Sequence, residues 1–232
     1  MKPAVMLPTY NEALNIRPLL EAILAVDPTI TAVVVDDNSP DGTAALAQEV
    51  AERAGGRVRV IVRRERRGRG YAGAEGFCYC LAEGFDPILE MDADFSHDPA
   101  HIPEMLQAAR EWDVVIGSRA VAGGEESGRG LSRRMITAGA AAYLRLMTGA
   151  SVADPTSGYR CFRRAVMEAI QPGTLTAPGP AIVTEVLYRC RKFRIKEIPI
   201  RFRDRTRGHS KFNVKAMWAS LSLAARLRLK GR

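Results

Sequence analysis

The chain has 232 residues, of which 47% are hydrophobic and 26% charged, and its formal net charge is +8. Such a chain can bury a full core in one large α/β domain, and nothing in its composition requires a second. No apolar run approaches the roughly eighteen residues of a spanning helix, and the N-terminus shows no secretory signal. The four cysteines have no paired spacing, which argues against a disulfide framework or zinc site and favours the cytoplasm.

The first half of the chain alternates strand and helix signals. Short apolar runs that each end in a polar loop predict strands at residues 4–7, 32–35, 58–62, 88–91 and 114–116. Helical spacing of leucines follows the first strand, and further helices are predicted at residues 74–83 and from Asp98 to about Glu111. This alternation predicts an α/β fold with a mostly parallel sheet flanked by helices.

The pattern changes after Ser118. Residues 119–134 are rich in glycine and charge and have no periodicity, which is typical of a functional or mobile loop. Beyond them, helices are predicted at residues 135–147 and 181–192, and a strand is predicted near residues 195–202.

The C-terminal segment, residues 213–232, is predicted to be an amphipathic helix. It combines Trp218 and several leucines with lysines and arginines, a composition typical of helices that lie in a bilayer interface. Core packing of Trp218 and Leu221 is the alternative.

Acidic residues follow three of the predicted strands. Glu12 comes after the first, Asp36 and Asp37 after the second, and Asp92-Ala93-Asp94 after the fourth. In an open α/β sheet, ligands bind at the carboxyl ends of the strands. Carboxylates gathered in one crevice repel each other, and a divalent cation or a hydrogen-bonding ligand would offset that repulsion.

Asp92 and Asp94 can both reach one hard cation if the chain curves at the strand end. Such a cation would bridge the oxygens of a diphosphate and neutralise charge on a leaving nucleotide. A solvated acidic loop is the alternative, and it is the preferred interpretation for Asp98, which precedes Pro99 as a helix cap.

Residues 68–73 match GxGxxG, the pattern of dinucleotide-binding loops. The loop lies in the third βα unit, and the acidic residue downstream belongs to a DxD pair, so we reject the dinucleotide interpretation. A basic loop suited to phosphate contact or to close backbone packing remains. Among the preceding arginines, Arg63, Arg64 and Arg66 are predicted to be solvated, whereas Arg67 can approach a phosphate.

Three other side chains admit two interpretations each. His97 and His101 are spaced for a metal pair on a helix, but Pro99 between them favours unrelated roles. Glu185 either touches a sugar or is a helix-surface charge.

These motifs together carry a resemblance. The segments at residues 8–12, 35–43, 67–70, 91–94 and 117–119 occur in the order and spacing of the family-2 glycosyltransferases with the GT-A fold. Residues 154–160 and 205–212 resemble those of the dolichyl-phosphate (polyprenyl-phosphate) mannose synthases. The resemblance covers nearly the whole chain and implies one GT-A (Rossmann-like) catalytic domain at 1–212, with a nucleotide-binding half at about 1–118 and an acceptor half at about 119–212.

The resemblance also implies ligands and site residues. GDP-mannose would be the donor and a polyprenyl or dolichyl monophosphate the acceptor, with Mg²⁺ or Mn²⁺ as the cofactor. The nucleotide pocket would comprise Pro8, Tyr10, Glu12, Asp37, Asp92 and Ala93. The metal would be held by Asp92, Asp94 and Ser96, where Ser96 replaces a glutamine of some relatives. The acceptor phosphate would be bound by Arg119, Arg133, Thr137 and Lys211, and the catalytic residues would be Asp92, Asp94 and Arg119.

Charge determines the predicted mechanism. A lipid phosphate is already an oxyanion, so the protein must mainly hold two anions in line by electrostatics and positioning. We therefore predict a single displacement with inversion, at the cytoplasmic face of a membrane. Anchoring would be peripheral or would come from another subunit or domain.

Three alternatives remain at this point. The donor could differ, with UDP-glucose as an example, because the motifs specify the diphosphate site better than the sugar. A nucleic-acid-binding module would use the positive charge, but only 6% of the residues are aromatic and an acidic crevice repels a polyanion. A non-catalytic subunit is the third, and the intact Asp92-Ala93-Asp94 argues against it.

Overall fold

The computed structural model describes residues 1–127, 131–203 and 214–230. For residues 131–134, 214–215 and 230 it describes the backbone only. The strands in these ranges are β1 (Ala4–Thr9), β2 (Thr31–Asp36), β3 (Val58–Val62), β4 (Ile88–Glu90), β5 (Val114–Ser118), β6 (Glu125–Ser127), β7 (Arg160–Phe162), β8 (Ile195–Pro199) and β9 (Arg201–Arg203). The helices are α1 (Ile16–Val26), α2 (Thr43–Arg53), α3 (Arg69–Ala82), α4 (Ile102–Ala108), α5 (Leu131–Thr148), α6 (Arg164–Ile170), α7 (Ile182–Cys190) and α8 (Val214–Lys230).

A seven-stranded sheet organises the chain in the order β3-β2-β1-β4-β7-β5-β8. β7 is antiparallel to both of its neighbours, β4 and β5. The other pairs in this sheet are parallel. The predicted α/β class and mostly parallel sheet are confirmed.

Alternate residues of the central strands supply the two cores. Ala4 and Met6 of β1 face one hydrophobic cluster, which includes residues of α3, α6 and α7. Val5 and Leu7 face the other, which includes residues of α1, α2 and α4. Because successive strand side chains point to opposite faces, one apolar strand holds helices on both sides of the sheet.

Some predicted elements differ from the observed ones. The sequence gives no strand signal at β7, whose three residues are too few for a visible period. The strand predicted near 195–202 is divided at Ile200 into β8 and β9, and β9 pairs with β6 in a separate small sheet. The helix expected from Asp98 is shorter: the Asp98 carboxylate caps a 3₁₀ turn by accepting from Ala100 N at 2.9 Å, as predicted for a cap, and α4 follows.

α5 and α8 pack against each other at one side of the sheet, and α8 also packs on α7. Trp218 of α8 is 65% exposed, so core packing of Trp218 is wrong. Among the described helices, none has the length and hydrophobicity needed to cross a bilayer.

Candidate active site

The loops after β1 and β2 are joined by a set of short polar contacts. Asn11 N donates to Ser39 Oγ at 3.0 Å, and Glu12 N donates to Thr43 Oγ1 at 2.9 Å. Asp41 accepts from Ala13 N at 3.0 Å. These contacts fix the two loops to each other at the carboxyl edge of the sheet.

The two adjacent aspartates after β2 have different partners. Asp36 accepts from Thr9 Oγ1 at 2.9 Å and from Ser39 Oγ at 2.6 Å, so it is a structural group of the loop. Asp37 accepts from Gly68 N at 2.6 Å through one oxygen and pairs with Arg63 through the other.

Arg63 is buried, and the prediction that it is solvated is wrong. Its guanidinium also donates through Nε to Glu75 at 2.8 Å and through Nη2 to the Arg66 carbonyl at 3.2 Å. Arg64 and Arg67 are exposed. The basic loop after β3 therefore contains one structural arginine among solvated ones.

The predicted nucleotide-binding residues share one edge of the sheet. Pro8 lies beside Val35 in the β1–β2 register, and Asp37 N donates to the Thr9 carbonyl at 3.1 Å. Glu12 is buried and Tyr10 is 37% exposed. Met91 N donates to the Met6 carbonyl at 3.2 Å, so the chain that carries Asp92 and Ala93 emerges from the strand beside β1.

A cavity of about 290 Å³ opens beside Asp92. Its charged and polar end is lined by Arg69, Asp92, His97, Arg119, Asp154, Thr156 and Ser157. Its other end lies between three helices and is lined mainly by apolar side chains, from α5 (Ala140, Leu144), α7 (Val183) and α8 (Ala216, Met217, Leu221). Leu221 thus borders this cavity. The cavity is amphipathic, with charge at one end and helix side chains at the other.

Asp92 and Asp94 lie at different depths. Asp92 lines the cavity, and its carboxyl side chain is 36% exposed. Asp94 is buried and lines an adjoining hollow beside α1 and β9. Its Oδ1 accepts from Ser96 N at 3.0 Å and from Ser96 Oγ at 2.6 Å, so the Ser96 hydroxyl is hydrogen-bonded to Asp94.

The donor chemistry of this segment fits a hard divalent cation. Asp92, Asp94 and Ser96 offer only oxygen atoms, the ligands that Mg²⁺ and Mn²⁺ prefer. Among the described side chains, no group of three or more His, Cys, Asp or Glu has the arrangement of a metal site. The two aspartates would therefore need oxygens of a bound diphosphate and water to complete the coordination.

His97 belongs to the site, but in a role that its spacing from His101 did not predict. Its Nδ1 accepts from Asp92 N at 3.1 Å, and its ring stacks on Tyr159 with centroids 4.9 Å apart. Burial lowers the pKa of His97, although Asp92 and Asp94 partly oppose this effect. The neutral ring therefore positions the backbone of the acidic turn, while His101 accepts separately from Arg201 N at 3.1 Å.

A buried charge network underlies the cavity. Arg69 Nη2 lies 3.1 Å from Asp92 Oδ1, and Arg69 Nη1 lies 3.2 Å from Glu90 Oε1. Glu90 is opposite Arg160 in the β4–β7 register. Burial raises the pKa of Glu90, with Arg69 and Arg160 opposing it, and burial lowers the pKa of Arg160 to about 10. Arg160 is therefore still a cation at neutral pH.

Arg119 crosses the polar end of the cavity. Its guanidinium donates to Thr156 Oγ1 at 2.8 Å and lies 3.2 Å from Asp154 Oδ2. It also lies over the Phe202 ring at 4.7 Å. The predicted phosphate-binding arginine is thus held at the cavity by a carboxylate, a hydroxyl and an aromatic face.

The loop at 154–158 is fixed by charges that the sequence did not explain. Glu197 accepts from Asp154 N at 2.9 Å, which accounts for a carboxylate inside a strand pattern. Arg160 donates to the Pro155 carbonyl at 2.8 Å.

Glu185 accepts from Ala177 N at 2.9 Å and pairs with Arg189, so it is buried and is not a surface charge.

The remaining predicted acceptor residues are Thr137, Arg133 and Lys211. Thr137, a residue of α5, lines the cavity. The side chain of Arg133 and all of Lys211, with the segment at 205–212, lie outside the described residues.

The Gly-rich loop at 68–73 packs closely on the rest of the protein. A Cβ at Gly70 would lie 1.8 Å from the Ala177 carbonyl oxygen, and Gly70 N donates to the Pro178 carbonyl at 3.1 Å. Of the two roles left open for this loop, close backbone packing is therefore confirmed.

Comparison with known proteins relates this site to a family. The family model described as "Glycosyl transferase family 2" matches residues 4–171. The chain is 37% identical to undecaprenyl-phosphate mannosyltransferase of Micrococcus luteus, over 92% of this chain and 88% of that protein. It is 35% identical to polyprenol monophosphomannose synthase of Mycolicibacterium smegmatis, over 98% of this chain and 87% of that protein.

A solved structure shares the fold. Glucosyl-3-phosphoglycerate synthase of Mycobacterium tuberculosis, in complex with Mn²⁺, UDP-glucose and phosphoglyceric acid, aligns with a TM-score of 0.72 at 19% identity, over 99% of this chain and 80% of that one. The same synthase has been solved with Mg²⁺ and UDP, with a TM-score of 0.69 at 20% identity over 99% of this chain and 78% of that one. The family match and the sequence relatives agree with this fold, and the chain belongs to glycosyl transferase family 2.

Proposed function

We propose that this glycosyltransferase transfers mannose from GDP-mannose to a polyprenyl monophosphate of the dolichyl type. The names of the sequence relatives support mannose as the sugar and a polyprenyl phosphate as the acceptor. The nucleotide would bind in the first half, residues 1–118, and the acceptor in residues 119–212.

The observation that carries this proposal is the amphipathic character of the cavity. A polyprenyl phosphate has one charged group joined to a long hydrocarbon chain. The cavity places Asp92 and Arg119 at one end and apolar side chains of α5 and α8 at the other. A small polar acceptor would leave the apolar end without a partner, whereas a lipid phosphate would use both ends.

The site residues divide into two proposed groups. Asp92 and Asp94, with Ser96 beside them, would hold Mg²⁺ or Mn²⁺, which when bound neutralises charge on the donor diphosphate. Pro8, Tyr10, Glu12, Asp37 and the backbone of Ala93 would line the nucleotide pocket.

The acceptor phosphate would be bound by cations and a hydroxyl. Arg119 and Thr137 border the same cavity, and Arg133 and Lys211 are assigned to this group by the family resemblance alone. Because Arg119 is fixed by Asp154 and Thr156, it would orient the phosphate without a large rearrangement. The phosphate is already ionised, so a direct displacement would invert the anomeric carbon and give a β-linked product from an α-linked donor.

The test is transfer of radiolabelled sugar into an organic-extractable lipid, with either GDP-mannose or UDP-glucose as donor and a polyprenyl phosphate as acceptor. We expect GDP-mannose to be preferred by about a hundredfold or more, because a site that hydrogen-bonds one base and sugar leaves its polar groups unpaired with another. EDTA should abolish transfer, and Mn²⁺ or Mg²⁺ should restore it. The product should be β-linked by NMR.

Three results would contradict the proposal. A preference for UDP-glucose would reassign the donor. Full activity in EDTA would show that transfer needs no metal. An α-linked product would show that the reaction is not a single displacement.

A membrane-facing surface is part of this proposal. Large hydrophobic side chains are exposed on α5 at Met135, Ile136 and Leu146, and on α8 at Trp218 and Leu229. Arg226 and Arg228 lie on α8 among them. Exposed apolar residues mixed with cations suit an anionic bilayer surface. We propose that these helices dock on the cytoplasmic face of a membrane, either alone or together with an anchoring subunit or domain.

Two leucine substitutions provide a matched test of this surface. Leu229 on α8 is 73% exposed and Leu14, before α1, is 68% exposed. We expect Leu229→Ala to reduce binding to phosphatidylglycerol vesicles by about tenfold, since a buried leucine contributes about 1.5 kcal/mol or more. Leu14→Ala should leave vesicle co-sedimentation unchanged. Equal loss in both variants would contradict docking through α8.

A further inference from the structure

Arg69 lies where a fixed positive charge meets the acidic turn of the cavity. Its guanidinium forms ion pairs with two carboxylates: Nη1 lies 3.2 Å from Glu90 Oε1, and Nη2 lies 3.1 Å from Asp92 Oδ1. The Arg69 side chain is 21% exposed, and that of Glu90 is 3% exposed. One carboxylate is therefore buried beneath Arg69, and the other faces the cavity beside it.

The backbone that carries Arg69 is held on both sides. Gly68 N donates to Asp37 at 2.6 Å, and Gly70 N donates to the Pro178 carbonyl at 3.1 Å. A Cβ at Gly70 would lie 1.8 Å from the Ala177 carbonyl oxygen, so the loop has no room to shift toward the segment that precedes α7. Because Arg69 is also the first residue of α3, its charge is anchored close to Asp92.

We propose that Arg69 makes metal binding and nucleotide binding depend on each other, by acting as the resident counter-ion of Asp92. This inference rests on the proposed function, in which Asp92 holds a divalent cation. In the protein without nucleotide, Arg69 already neutralises Asp92 and repels a second cation. When a nucleoside diphosphate is bound, its negative charge offsets Arg69, and the metal then binds more tightly.

The buried partners explain why the charge persists. Glu90 lies between Arg69 and Arg160, so the four groups Arg69, Glu90, Asp92 and Arg160 carry no net charge together. Replacing Arg69 alone by a neutral residue leaves a net negative cluster, which attracts a metal without any nucleotide. By linkage, whatever the metal gains from the nucleotide, the nucleotide gains from the metal.

The experiment measures Mn²⁺ binding to the full chain by the EPR signal of free Mn²⁺, with and without GDP. In the wild type, GDP should tighten Mn²⁺ binding strongly. Arg69→Met should bind Mn²⁺ about tenfold more tightly without GDP, a change within the usual range of coupling between sites. The extra tightening produced by GDP should shrink by a similar factor. Arg69→Lys should resemble the wild type, because it keeps the charge.

Two further variants separate this effect from misfolding and from general charge. Arg69→Met/Glu90→Gln keeps the cluster neutral, so it should fold like the wild type by circular dichroism and lose part of the tenfold gain. Arg64→Met removes an exposed cation that precedes the same loop, and it should leave Mn²⁺ binding unchanged.

The outcomes distinguish this inference from the proposed function. One result would overturn the role of Arg69 only. In that result the wild type binds Mn²⁺ in the presence of GDP, but Arg69→Met without GDP binds Mn²⁺ no more tightly than the wild type does. An absence of Mn²⁺ binding to every variant, with or without GDP, would overturn the metal site and this inference together.

Discussion

Replacing Asp94 by asparagine is expected to reduce sugar transfer about a thousandfold, the scale on which a preorganised electrostatic group contributes to catalysis. The amide keeps the shape of the carboxylate, and its oxygen can still accept from Ser96 N and Ser96 Oγ, as Asp94 does. The fold should therefore be preserved while one of the two proposed charged metal ligands is lost. Initial rates with GDP-mannose and a polyprenyl phosphate measure the effect.

Asp98→Asn is the control for this substitution. Asp98 lies near Asp94 and caps a turn through Ala100 N, and asparagine caps as well as aspartate does. Its activity should match the wild type. Loss of such a group is expected to lower activity at least about 10²-fold. If Asp94→Asn retained more than about a tenth of wild-type activity, the catalytic assignment of Asp94 would be wrong.

Replacing Arg63 by methionine is expected to lower the free energy of unfolding by about 3–5 kcal/mol, the cost of leaving one partner of a buried ion pair unneutralised. The side chains of Arg63 and Asp37 are each only 5% exposed. Methionine preserves most of the apolar stem but leaves the Asp37 carboxylate without its cation. Urea denaturation followed by circular dichroism measures the change.

Two variants test whether the ion pair is the cause. Arg64→Met, at an exposed neighbouring position, should change stability by no more than about 0.5 kcal/mol. Arg63→Met/Asp37→Asn should recover part of the loss, because no buried charge remains unpaired. If Arg63→Met lowered the free energy of unfolding by less than about 1 kcal/mol, the prediction would be wrong, because breaking a buried ion pair costs more than that.

The sequence was most informative where apolar strands end in acidic turns. Most residues of β1, β2 and β4 are buried and apolar. The positions of these strands, and the sheet edge that Glu12, Asp37 and Asp92 follow, could therefore be predicted from periodicity and the geometry of parallel sheets. The same reasoning placed the cap at Asp98. Asp92 and Arg119, which come from distant parts of the chain, border one cavity.

Contacts between distant parts of the chain could not be predicted in this way. Arg63 and Glu185 have the same local pattern as solvated charges, and their burial depends on Asp37 and on the turn at Thr176, which only the tertiary fold brings near. The spacing of His97 and His101 is that of a metal pair on a helix, whereas the observed role of His97 depends on the backbone N–H of Asp92, which no spacing reveals. The hollow beside Asp94 also depends on the tertiary fold, because residues of α1 and β9 line it together.

The position of β7 has a consequence for exchanging parts between related enzymes. β4 and β5 do not pair with each other in the large sheet, because β7, from the second half of the chain, lies between them. A fragment that stops at Ser118 would leave the facing edges of β4 and β5 unsatisfied, with a gap one strand wide. Donor and acceptor preferences can therefore diverge by point substitution or by loop replacement, but a hybrid spliced at this boundary must bring a β7 compatible with both of its new neighbours.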